Sequence, residues 1–165
     1  MSNPSDKKPA APEEPCGGRA VHSDPKAPRT PEQVPLPAGV SKKPLDQKSP
    51  AEWAYERLIL YIQNFEAQLD TEHEIAIGIA DGGAGLLRIE GMGFFDPDIV
   101  TFYGTDPSGA RSQLIQHVTQ LNVTLRALTK EMPEAEPRRI GFRLAAELGG
   151  GTDTASEQRG TPEDG

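Results

Sequence analysis

Gly91-Met92-Gly93-Phe94-Phe95-Asp96-Pro97-Asp98-Ile99-Val100-Thr101-Phe102, followed a short loop later by Ser112-Gln113-Leu114-Ile115-Gln116-His117-Val118, decides how this chain is read. Glycines inside an apolar strand mark a bulge or a sharp bend, and Gly91 and Gly93 sit inside one. Asp96-Pro97-Asp98 turns the chain, because Asp side chains bond nearby backbone N–H groups and Pro presets its own φ. Ile99 to Tyr103 is rich in β-branched and aromatic residues and reads as the next strand. Thr105-Asp106-Pro107-Ser108-Gly109-Ala110 places Pro and Gly where a second tight turn needs them.

Upstream of that tract, Glu74 to Ala80 alternates, with Ile75, Ile77 and Ile79 on one face of a half-buried strand. Asp81-Gly82-Gly83-Ala84-Gly85 reads as a hairpin turn. It lacks the Lys and the spacing of a phosphate-cradling loop. Further upstream, Ser49-Pro50-Ala51-Glu52 reads as a capping box with proline at the first helical position. The helix it opens is expected to run to about Leu69, with Ala51, Ala54, Leu58, Ile62, Phe65 and Leu69 at steps of three and four. An apolar stripe of that kind must pack on something, and the strands that follow are its partner.

Downstream, residues 111–128 fit two templates. Ile115, Val118, Leu121, Leu125 and Leu128 fall on one helical face, while Leu121, Val123, Leu125 and Ala127 fall on one strand face. Recurrent Val, Thr and Asn, with no caps, favour two short strands broken near Thr119-Gln120; a single helix is the alternative. Pro133 and Pro137 bound a loop, and Arg138 to Leu144 reads as a last strand. The expected strands are 73–80, 85–95, 99–104, 111–118 and 121–128, so the fold class is α+β.

Composition sets the domain limits. Of 16 prolines, 11 lie in residues 1–50, a stretch almost without large apolar residues. Such a segment cannot bury enough surface to offset the entropy of ordering, so 1–48 is expected to be a disordered tail. Residues 148–165, opening on Gly149-Gly150-Gly151, read the same way. The remaining 49–147 is one domain large enough for a modest core. Cys16 is the only cysteine, so no intrachain disulfide is expected. With no apolar N-terminal run and no stretch near the ~20 apolar residues of a membrane span, a cytoplasmic protein off the membrane is expected. Net charge is −8. An acidic chain argues against broad phosphate-backbone binding, which needs clustered Lys and Arg.

Residues that could carry chemistry are few. His73 and His117 have no nucleophile-elbow pattern beside them, and two distant histidines do not make a zinc site. Asp96 and Asp98 could chelate a cation, but carboxylates flanking a proline are more often turn formers. No cofactor, no metal and no enzymatic activity are expected. A lone strand histidine such as His117 is more often a hydrogen-bonded structural residue than a ligand contact. Arg111, Arg126, Arg138, Arg139 and Arg143 concentrate late in the domain, as a basic patch or as solvated charges.

Residues 50–128 together resemble the Sm-like family, including its bacterial Hfq branch. The resemblance implies an N-terminal helix packed on a small, strongly bent antiparallel sheet or barrel. Gly91 falls where that family bends its second strand, Phe95-Asp96 matches its aromatic-Asp pair, and Gln113 to Val118 resembles the segment carrying its histidine, here His117. Members often bind RNA, and the resemblance places contact at His117 and the neighbouring Gln116. The departures are Asp98 where a base would stack, Val100 where eukaryotic-type members carry Asn, and Gln116 where the bacterial branch has Lys. The same Phe-Asp-Pro-Asp and Gln-Leu-Ile-Gln-His pattern is similar to that of a bacterial family of uncharacterised proteins, which implies no known activity.

Two functions from different classes follow. The first is a non-enzymatic protein-interaction or oligomerisation module, since Sm-like barrels pair edge strands between subunits and an unpaired apolar strand needs covering. Its partner would be a second copy or an unidentified protein. The second is a diverged single-stranded RNA-binding protein using Arg138 and Arg139 beside His117 and Gln116. The acidic core and Asp98 favour the first.

Overall fold

The computed structural model describes residues 18–79 and 85–149. Helix α1 is a single turn, Ala38–Ser41, and α2 runs over Pro50–Glu66. Five strands follow: β1 His73–Ile79, β2 Leu86–Phe95, β3 Ile99–Thr105, β4 Arg111–His117 and β5 Val123–Thr129. Helix α3, Ile140–Gly149, closes the order. All strand pairs are antiparallel, in the order β4-β3-β2-β1-β5. β4 and β5 do not pair, so the sheet is not closed and the barrel alternative is corrected to an open sheet whose edges, among the described residues, are β4 and β5.

The central tract behaves as its residues require. The β2/β3 register shifts between Ile89 and Gly91, the bulge that the glycines announce. Opposite the bulge the strands approach so closely that a Cβ on Gly104 would stand 2.0 Å from the Arg88 carbonyl oxygen, so only glycine fits there. Residues 111–128 resolve into two strands, β4 and β5, joined through a 3-10 turn at Val118–Gln120. The turn expected at 81–85 lies outside the described residues except for Gly85, which has φ +64°.

The core forms where α2 lies on one face of the sheet. Ile59 and Ile62 from the helix meet Ile75, Ile77, Leu87, Ile89, Val100 and Phe102 from the strands. Helix α2 stops at Glu66, three residues short of the expected Leu69, with Ala67 as its C-cap. Its start keeps half of the capping box. The Ser49 hydroxyl accepts from the Glu52 N–H at 3.0 Å, but the Glu52 carboxylate pairs with Lys43 at 2.9 Å instead.

The last expected strand, 138–144, is a helix from Ile140. Ile140, Leu144 and Leu148 recur at steps of four, so α3 offers one apolar face, and Leu144 is buried in the core. The two templates compete over so short a run, and packing on α2 decided between them. The N-terminal segment also differs from the tail that its composition suggests. Residues 18–48 lie along α2 and, through α1, against α3, with Val40 only 1% exposed. Contacts to α2 supply what the segment cannot supply alone: Asn64 donates to the Arg29 carbonyl, Tyr61 to Glu32, and Lys48 pairs with Glu56 at 2.6 Å. Residues 1–17 and 150–165 lie outside the described residues.

Candidate functional site

The Phe95 to Asp98 corner ties three elements together. Asp96 accepts from the Ser49 hydroxyl, and the Pro97 carbonyl accepts from Ala51 N–H at 3.0 Å. The second contact satisfies one of the donors that every helix start leaves open. Asp98 then holds the end of β4. Its carbonyl accepts from Val118 N–H at 2.8 Å, and its carboxylate lies 3.0 Å from Nε2 of His117. The tract that decides the fold is thus a junction between the start of α2, the β2–β3 turn and the end of β4.

His117 is engaged at both ring nitrogens. Thr119 N–H donates to Nδ1 at 3.2 Å, and the Thr119 hydroxyl lies 2.7 Å from the same atom. Nδ1 is therefore an acceptor, so the ring proton sits on Nε2 and points at Asp98. The imidazole locks the 3-10 turn that follows β4. Gln116 lies next to it in sequence but on the opposite face, because successive strand residues alternate. It pairs with Val100 across the ladder, and its buried Oε1 has no hydrogen-bond partner.

Arg138 and Arg139 lie elsewhere. Arg138 donates its backbone N–H to Glu74 and pairs its guanidinium with Glu90 of β2 at 3.0 Å. Arg139 donates to the carbonyls of Asp70 and His73, both at 2.7 Å, and so straps α3 to the loop before β1. His117 stands on edge strand β4, whereas the two arginines act on β1 and β2, with β3 between. The four candidate residues therefore do not converge on one site. Among the described residues there is no group of three or more His, Cys, Asp or Glu able to hold a metal ion.

The surface that does stand out is one the sequence shows only indirectly: the two sheet edges. β4 and β5 are seven residues each and contain neither Lys nor Pro. Ile115 on β4 is 62% exposed, while Leu114, Val118, Leu121, Val123 and Leu125 are only half covered. An edge of this kind presents an open row of N–H and C=O groups beside apolar side chains.

The fold and these edges define a mixed helix-and-sheet domain built on an open five-stranded antiparallel sheet. The chain belongs to the family of unknown function DUF6173, whose pattern matches residues 45–143. No curated protein and no solved structure matches it. None of these comparisons supports the Sm-like resemblance. Among the described residues no helix is long and apolar enough to cross a membrane.

Proposed function

We propose that this chain is a non-enzymatic oligomerisation module that assembles by strand addition, β4 of one copy pairing with β5 of the next. The observation that carries this reading is the pair of sheet edges, β4 and β5, that no further strand pairs among the described residues. Proteins usually blunt a free edge with charged side chains, Pro, a bulge or a covering element; β4 and β5 contain no Lys or Pro, and Arg111 and Arg126 are the one formal charge on each. Two different edges joined head to tail make a heterologous contact, which closes into a ring when the rotation per copy allows.

Single-stranded RNA binding is the weaker reading. His117 is bonded by Asp98 and Thr119, and Arg139 by two carbonyls, so taking a phosphate or a base there would break bonds already made. Native mass spectrometry of the full chain at low micromolar concentration tests the proposal. Wild type is expected to be a closed assembly of more than one copy. Ile115→Lys, which sets a charge on the β4 edge, is expected to be monomeric with a folding stability within about 0.5 kcal/mol of wild type. A monomeric wild type would sink the reading.

A further inference from the structure

A groove of about 360 Å³ lies where α3 begins beside β2, lined by Ile89, Glu90, Arg138, Arg139, Ile140 and Arg143. Its floor is apolar and its rim is cationic, in a chain whose net charge is −8. The three arginines are in different states. Arg139 is spent on backbone carbonyls. Arg138 pairs with Glu90, but both side chains are open to water, 63% and 43% exposed, so a competing carboxylate can exchange with Glu90 at little penalty. Arginine ion pairs among the described residues involve only Arg88 and Arg138, which leaves the exposed Arg143 guanidinium without a carboxylate.

We propose that this groove docks an acidic peptide segment of a partner protein. Arg143 and Arg138 would take its carboxylates in fork-to-fork pairs, and the half-buried Ile140 would take an aliphatic side chain. Charge complementarity selects an anionic ligand, and the apolar floor selects a peptide over a nucleic acid. The lining offers no aromatic ring on which a base could stack. The groove lies on β2 and α3, away from both sheet edges, so the inference stands apart from strand-addition assembly.

The test is fluorescence anisotropy of a labelled octapeptide alternating Glu and Leu, titrated with the full chain, with a Gln-for-Glu peptide and a labelled decauridylate in parallel. The acidic peptide is expected to bind more weakly as salt rises, and the Gln peptide not at all. Arg143→Gln is expected to weaken binding about tenfold, the loss of one charge-assisted pair. Glu90→Gln removes the competing carboxylate and is expected to tighten binding about threefold, a gain that misfolding cannot mimic. The proposal is overturned if wild type does not bind the acidic peptide. It is equally overturned if neither Arg143→Gln nor Glu90→Gln changes the affinity, or if decauridylate alone binds with the same dependence on Arg143.

Discussion

Helix α2 is held on two sides by different physics. Toward the sheet it presents Ile59 and Ile62 to Phe102 and its neighbours, an apolar contact without charge. On the other side, under the arm of residues 18–48, it presents Glu56, Arg57 and Tyr61. There Lys48, with its side chain only 1% exposed, pairs with Glu56 and donates to the Val40 carbonyl, while the Arg57 guanidinium stacks over Trp53. The family match begins at residue 45, so most of the arm lies outside it, whereas the apolar side lies wholly within it. The difference teaches that the sheet contact makes the domain cohere. The arm contact is largely a polar clasp, and it is expected to open while the core stays folded.

The largest expected effect breaks the apolar side. Phe102→Ala should cost about 4 kcal/mol of global stability, read from urea unfolding, because it empties a fully buried ring position. On the polar side, Glu56→Ala strands Lys48 as an unpaired buried charge, worth about 3 kcal/mol. Undocking the arm relieves that penalty. Hydrogen exchange at residues 38–48 should therefore speed up by roughly a hundredfold, with little change in exchange along β1. Equal acceleration in both regions would show that arm and core open as one unit.

A smaller effect is expected at the far end of α2. Glu66 is buried, and its carboxylate accepts from Gly141 N–H at 2.8 Å, at the start of α3. Burial pushes its carboxyl above the usual 4.5, against the N–H of Gly141 and the charge of Arg139. A raised carboxyl binds its proton more tightly folded than unfolded. The stability it adds is present below about pH 4.5 and is lost as pH rises through the folded value. Glu66→Gln lacks that titration, so urea unfolding should show the variant gaining on wild type between about pH 4 and pH 8. A difference independent of pH would refute the assignment.

The smallest effect is spectroscopic. Tyr61 donates to Glu32 of the arm, and the loss of that bond on ionisation pushes its hydroxyl up to about 12. In Glu32→Gln an ultraviolet titration should bring Tyr61 back toward 10. If the Tyr61 titration does not move, the clasp does not include this contact.

Several elements were legible because local chemistry decides them. Ser49-Pro50 starts a helix anywhere, Gly91 and Gly93 disturb a strand wherever they occur, and recurrent Val and Thr separated β4 from β5. The arm was not legible, since Pro-rich polar sequence looks the same whether it is solvated or docked, and Val40 is its only buried apolar residue. Residues 140–149 misled because seven residues of Arg138 to Leu144 satisfy a strand pattern before the later Leu148 reveals the helical period. The candidate site dispersed for a related reason. Gln116 and His117 are adjacent in sequence, but pleating sends them to opposite faces, and the arginines that looked free were already bonded to carbonyls and to Glu90.

The sequence by itself determined the start of helix α2, the first three strands, the bulge and the turn at Asp96 to Asp98, and it favoured two strands over a helix at 111–128. Each depends on the preferences of a few neighbouring residues. Only the tertiary structure decided that the sheet stays open with β4 and β5 as its edges, that the last segment is a helix, and that the arm clasps α2. Each of those depends on which partner surface lies within reach once the chain has folded, and no run of residues encodes its partner's position.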